Sequence, residues 1–347
     1  MNNFLLKKYC AIVVCLIGSF AIISFAAIVS HNFTLAGQRA DLATPGELSP
    51  AYNGDGNYSA DIPAPPPPAN PDINVLILGL DEGSLPDTIF VALFDGATNM
   101  IDIVGVPRDT QIFMTDEERA MFAEIGRNFP QHGNIKLNEL HSWAGLANGY
   151  RLLTHRLENM LQIEIDYHVI IDLDDFKYIV DAVGGIYMDI PPPGLFYNAE
   201  GGTIAVNIQP GHQHLDGRRA EQVVRFRQFR DGDIGRINMQ QAFMQEFFVQ
   251  VLSNDNIMNN FLPLAQSVFG RVRTDIGLVS LFRYAGLVEY LDTQGIEFHM
   301  LEGHSGMAPD LAGINRSWFF VDVEASRRLI EQIYEDNAAL AQERRAN

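Results

Sequence analysis

The chain has 347 residues, of which 47% are hydrophobic and 19% charged, with a formal net charge of -19. That length suits one large domain or two small ones with accessories. The acidic balance excludes a general nucleic-acid binder, because phosphate neutralisation supplies most of that affinity. Both cysteines, Cys10 and Cys15, fall in the first apolar run. A disulfide framework, a zinc motif and a cysteine nucleophile are therefore excluded as well.

Residues 10–29, CAIVVCLIGSFAIISFAAIV, form about twenty residues without a charge, enough to cross a bilayer core of roughly 30 Å as a helix. Lys7 and Lys8 precede them, and the positive-inside rule keeps that end cytoplasmic and exports the rest. The rival reading is a cleaved signal peptide, but its apolar region is normally about 7–15 residues. Residues 31–71 end in DIPAPPPPANPD, which predicts an extended polyproline spacer with no packed core.

From Asn74 the pattern becomes that of a folded domain. NVLILGL (74–80), TIFVALF (88–94) and IDIVGV (101–106) are short β-rich runs separated by turn residues. Residues 147–162 carry leucines at helical spacing; 167–173 predicts a strand, 174–185 a helix closed by glycine, and 186–190 another strand. Residues 236–252 predict an amphipathic helix, and 257–347 mostly helix with a short strand near 296–301. Strands alternating with helices imply an α/β sandwich, preceded by one transmembrane helix.

The first strand ends in Asp81, and Asp87 opens the second. Ligands gather at strand ends in α/β sheets. Two carboxylates there either cap turns or hold a hard divalent cation such as Mg2+ or Mn2+. Arg108, directly after the third strand, is either a surface charge or an anion ligand at the same sheet edge.

Only four of the 24 basic residues are lysines, yet VRFRQFRDGDIGRINMQQ (224–241) holds Arg225, Arg227, Arg230 and Arg236. Arginine grips phosphate or carboxylate bidentately and keeps its charge when buried. Read as a strand, this stretch puts Arg225 and Arg227 on one face. A helix starting near Ile234 then puts Arg236 in its first turn and Gln240 one turn on. Free N–H groups at a helix start favour anions, so the set can converge on one phosphate-rich group; Asp231 and Asp233 offer it a purely structural alternative.

Taken in order, NVLILGLD, PDTIFVAL, IVGVPRDT, KLNELHSWAG, IDYHVIIDLDDFKYIVDAVGGIYMDIP, GHQHLDGRRAEQVVRFR and GDIGRINMQQ resemble the LytR-CpsA-Psr (LCP) family of bacterial cell-envelope proteins over about residues 73–252. VRTDIGL (272–278) and SWFFVDVEASRRLI (317–330) extend the resemblance. It implies an LCP-type α-β-α sandwich, a central mixed β-sheet flanked by helices: a cytoplasmic tail (1–9), an anchor (10–30), an extracellular linker (31–72), a catalytic core (73–255), a helical part of the same domain (256–335) and a tail (336–347). The function it implies is a Mg-dependent phosphotransferase outside the bacterial membrane, which takes a glycopolymer from a polyprenyl-pyrophosphate carrier and attaches it to peptidoglycan. By motif, Asp81 and Asp87 hold the metal or help deprotonate the acceptor. Arg108, Arg225, Arg227 and Arg236 bind pyrophosphate, Gln240 and Asp233 position that set, and Lys136 lies near it.

The family usually has arginine two residues before the aspartate of its Asp-Thr motif, where this chain has Leu85. Arg119 or Arg127 is the expected replacement. The alternatives are a catalytically weak, membrane-tethered binder of lipid-linked or wall polymer, and a polyprenyl-pyrophosphate phosphatase.

Overall fold

The computed structural model describes residues 72–81, 85–129, 134–197, 205–230, 233–253, 271–276 and 295–346. The expected anchor, and the linker apart from Asp72, lie outside the described residues. Among the described residues, no helix is long and apolar enough to cross a membrane.

In chain order the elements are β1 (Ile73–Leu80), β2 (Pro86–Phe94), β3 (Ile101–Gly105), β4 (Gln111–Phe113), α1 (Asp116–Glu124), β5 (Asn134–Lys136), α2 (Leu137–Ala144) and α3 (Gly149–Leu161). Then follow β6 (Tyr167–Asp172), α4 (Leu173–Ala182), β7 (Ile186–Ile190), β8 (Leu195–Tyr197), β9 (Val206–Ile208), β10 (Gly211–Leu215), α5 (Gly217–Arg225) and α6 (Asp233–Ser253). The last are β11 (Arg273–Thr274), β12 (Ile296–Met300), β13 (Gly303–Pro309), β14 (Asn315–Val321) and α7 (Val323–Ala346).

Six strands form the central sheet in the order β11-β6-β1-β2-β3-β12. β1 runs antiparallel to β2 and parallel to β6, and β3 runs parallel to β12, so the sheet is mixed as expected. Alternation along β1 serves two apolar layers. Leu76, Leu78 and Leu80 enter a core shared with α1, α2, α3 and α7, while Val75 and Ile77 border one shared with α4, α5 and α6. The result is a helix–sheet–helix sandwich.

The strands and helices expected within 73–190 fall within a few residues of their expected positions, while β4, α1, β5 and α2, between residues 111 and 144, had no expected counterpart. α4 ends one turn short of the expected 185: Gly184 and Gly185 take positive φ, and the Gly185 N–H donates to Val180 O at 2.9 Å, closing the helix.

Two expectations are corrected. Residues 224–230 do not form a strand. Asp216 caps α5 by accepting from the Arg219 N–H at 2.8 Å, and Ala220 and Val223 bury one helical face, so Arg225 is the last helical residue. Among the described residues from 256 onward, the strand expected near 296–301 is β12, which joins the sheet, while residues 303–321, expected as helix, fold as a hairpin. Asp310 nucleates its turn by accepting from the N–H groups of Ala312 and Ile314, each at 2.9 Å, and Gly313 supplies the positive φ. Fully buried Trp318 anchors the hairpin, its indole N–H donating to Ala308 O at 2.9 Å.

Candidate active site

Asp87 owes its position to an irregularity. Gly79 pairs with Thr88 and Leu80 with Pro86, so Asp87 has no cross-strand partner. Such a bulge re-aims a side chain at a sheet edge, and Pro86, which lacks an N–H, is tolerated as the first strand residue. The Asp87 carboxylate meets three guanidiniums. Arg108 Nη1 donates to Oδ1, Arg227 Nη2 donates to Oδ2, and Arg236 Nη1 stands 3.8 Å from Oδ1.

Each arginine is placed by a different local device. Arg108 rides on a turn in which Thr110 donates to Pro107 O through both its N–H, at 3.0 Å, and its hydroxyl, at 2.6 Å. Its carbonyl accepts from the Asn138 N–H at the start of α2. Arg227 follows Phe226, whose extended backbone ends α5 and whose ring packs edge-on against Phe229 at 4.9 Å. Arg236 lies in the first turn of α6 and is only 1% exposed. Burial raises the Asp87 pKa, but the combined fields of Arg108, Arg227 and Arg236 outweigh it and hold the carboxyl below its ordinary value.

The other expected residues have distinct partners of their own. Arg225 donates to Glu221 Oε1 at 2.8 Å, and Glu221, which is buried, also lies 3.5 Å from Lys177 Nζ. Gln240 donates to Val224 O at 3.0 Å, tying α6 to the last turn of α5. Lys136 Nζ pairs with Asp109 at 3.0 Å, and Asp109 also faces Arg108 Nε at 3.5 Å, so Lys136 joins the cluster through Asp109. Asp233 opens α6, and its side chain lies outside the described residues. Asp81 closes the turn after β1: its Oδ1 accepts from the Leu85 N–H at 2.9 Å.

Neither expected replacement for the arginine at Leu85 reaches Asp87. Arg119 donates to Met114 O and lies over the Phe129 ring, while Arg127 packs beside Gly145. Asp109 and Glu221 are the polar neighbours that sequence reasoning passed over. Their only signal was proximity to the arginines they orient.

Below Asp87 and Arg225 a cavity of about 160 Å3 enters the layer between the sheet and α4, α5 and α6. Its walls are apolar, with Ile77 and Ile171 from the sheet, Phe176 and Val180 from α4, and Phe243 and Phe247 from α6. A cavity of about 150 Å3 lined by such residues stays dry and takes an apolar guest the size of benzene. α6 thus lines this apolar slot, whereas α3 packs on the opposite face of the sheet.

Asp81 and Asp87 fit a divalent ion only on a condition. Each carboxylate oxygen keeps a further lone pair beyond the hydrogen bond it accepts, and Mg2+ commonly takes one or two carboxylates plus phosphate and water. Three guanidiniums around Asp87 oppose a lone cation, however. The donor set suits an ion that arrives with an anionic phosphate group.

The LytR_cpsA_psr family matches residues 52–332. The regulatory protein MsrR of Staphylococcus aureus is 26% identical over 219 residues, covering 61% of this chain and 58% of that one. The polyisoprenyl-teichoic acid–peptidoglycan teichoic acid transferase TagV of Bacillus subtilis is 24% identical over 235 residues, 64% of this chain and 56% of TagV. The matched region thus spans under three fifths of either curated relative. Among solved structures, B. subtilis TagV superposes with a TM-score of 0.58 at 21% identity, covering 78% of this chain and 97% of that one. TagT bound to LIIa-WTA gives 0.56 at 19% identity, covering 82% of this chain and 98% of that one. These likenesses show a shared fold. With the family match running through both the sheet and the arginine cluster, the chain belongs to the LytR-CpsA-Psr family.

Proposed function

We propose that this protein transfers a glycopolymer, together with one phosphate, from a polyprenyl-pyrophosphate carrier to a peptidoglycan sugar hydroxyl, outside a bacterial membrane to which residues 10–30 anchor it. The observation that carries this reading is the junction of an apolar cavity with a cluster of arginines at Asp87. A polyprenyl pyrophosphate has that polarity: an apolar chain for the cavity and a polyanionic head for the guanidiniums. The curated relative TagV, named as a transferase of this kind, and the TagT complex with LIIa-WTA support the choice of polymer class.

In this reading Arg108, Arg225, Arg227 and Arg236 bind the pyrophosphate oxygens and spread the negative charge that develops as the acceptor hydroxyl attacks phosphorus and polyprenyl phosphate leaves. Asp81 and Asp87 are the residues that would hold magnesium, which supplies further positive charge to the same oxygens when bound. A carboxyl held below its ordinary pKa is a weak base. Asp87 therefore acts by charge and position, and the proton of the acceptor hydroxyl passes to the departing polyprenyl phosphate.

The test incubates the full chain in detergent with magnesium, a polyprenyl-pyrophosphate-linked oligosaccharide and peptidoglycan oligomers, and measures conjugate by mass. Conjugate that requires the acceptor supports transfer. Free phosphorylated oligosaccharide without conjugate would replace transfer with hydrolysis, and bound donor without product would leave a binding protein.

Cavity and donor are linked by a second expectation. Met244 is half-buried on the α6 wall of the slot, so a larger ring there narrows it. Met244→Trp should raise KM for long-chain donors at least tenfold, about 1.4 kcal/mol, and leave short-chain donors nearly unaffected. Equal KM changes for both donors would remove the lipid from the cavity.

A further inference from the structure

A second polar cluster lies away from the arginines, on the edge strand of the sheet. Asp102 on β3 faces Glu297 on β12 in register, and His299 lies two residues further along β12, on the same face as Glu297. Ligand atoms of the three side chains lie within 4.8 Å of one another. His299 Nε2 is 2.7 Å from Asp102 Oδ1, and Asn337 on α7 donates to Asp102 Oδ2 at 3.0 Å. The strand carrying His299 is held in turn by Gln241 of α6, which donates to the His299 carbonyl at 2.6 Å.

Asp102 is 4% exposed. A carboxylate so far from water needs a paired cation or a metal. Among the described residues, no lysine or arginine pairs with it; the cationic candidate is His299, which is charged only if protonated. Glu297, exposed beside it, adds negative charge to the same face. This is an unfavourable way to build a plain ion pair and a favourable way to bind a divalent ion. Two carboxylates and one imidazole neutralise a 2+ charge, the exposed Glu297 and partly exposed His299 leave a path from solvent, and Asn337 fixes the buried ligand from behind, as outer-shell partners do.

We propose that Asp102, Glu297 and His299 form a site for a divalent transition-metal ion of the zinc or manganese class, which fastens the edge strand β12 to β3. The imidazole nitrogen separates this class from magnesium and calcium, which take oxygen ligands. The site does not depend on the transferase reading, and it is distinct from Asp81 and Asp87.

The test titrates ZnCl2 into the metal-stripped full chain in detergent by calorimetry, in an Asp87→Asn background so that the arginine-lined site does not contribute, with MnCl2 and MgCl2 as parallel arms. One equivalent of Zn2+ or Mn2+ is expected to bind and to raise the melting temperature, with no saturable binding of Mg2+. Glu297→Gln should weaken binding at least tenfold, and Asn337→Ala about 10–100-fold. His299→Ala should abolish it, together with the visible absorption of Co2+ bound in place of zinc. Glu297 is exposed, so its variant tests the site even where His299→Ala fails to fold. No saturable zinc or manganese binding, or binding unchanged in Glu297→Gln, would reduce the cluster to a metal-free ion pair and overturn the proposal.

Discussion

Arg227→Ala should lower polymer transfer about 10²–10³-fold, the usual cost of one donor to developing charge, with little change in melting temperature. Arg236→Ala should lose both transfer and stability. The two arginines meet the same carboxylate from opposite environments: the Arg227 side chain is 48% exposed and that of Arg236 1%. An exposed pair contributes about 0–1 kcal/mol to folding, since water and salt screen it. Removing one partner of a buried pair costs about 3–5 kcal/mol, which corresponds to a fall of roughly 10 °C in a domain of this size. Thermal unfolding and donor turnover measured on both variants separate the roles. Wild-type turnover in folded Arg227→Ala would exclude this guanidinium from the pyrophosphate site. An unchanged melting temperature in Arg236→Ala would show that its burial is not what holds α6 against Asp87.

That division was invisible in the sequence, for a specific reason. VRFR (224–227) alternates apolar and charged residues with a period of two, which is a strand signal. The deciding features lie upstream: Asp216 as a helix cap, and Ala220 and Val223 three residues apart on a buried face. The helix they impose ends at Arg225, and the extended residue Phe226 delivers Arg227 to Asp87. By contrast β1, β2, β3, β6 and α4 were legible because each is a continuous apolar run between turn residues, or a capped helix. The 303–321 hairpin was not legible, because GHSGMAP is mostly exposed and only Trp318 and Phe319 on its partner strand are fully buried. Convergence of Asp87 with three arginines needed the slip in register at Leu80, a one-residue event that no local pattern announces. The cavity was hidden differently. Phe176, Phe243 and Phe247 sit at ordinary core spacing, and only the packed structure shows that they leave space between them.

Asp87→Asn tests the electrostatic centre itself and should have the largest effect on activity, about 10³-fold or more, because it removes a proposed metal ligand and the shared partner of three arginines at once. Its effect on stability carries a pH signature. The folded-state pKa of Asp87 is depressed, so ionised Asp87 contributes stability that is fully present above the unfolded value of about 4. That contribution is lost as pH falls through the lower folded value. The gap in melting temperature between wild type and Asp87→Asn should therefore be full at neutral pH and shrink only in acid, below about pH 4. Without the carboxylate, the three guanidiniums repel one another across a partly dry site, and an anion can take its place. Inorganic pyrophosphate should thus raise the melting temperature of Asp87→Asn more than that of wild type, where it must compete with Asp87 for the same N–H groups. Magnesium should add to this anion effect in wild type and not in the variant, since the neutral amide that replaces the carboxylate has no charge to hold the ion. Equal stabilisation of both proteins by pyrophosphate would mean that the anion does not reach the arginines at Asp87. Unchanged transfer by Asp87→Asn would leave Asp87 as a structural counter-ion and move any metal role to Asp81.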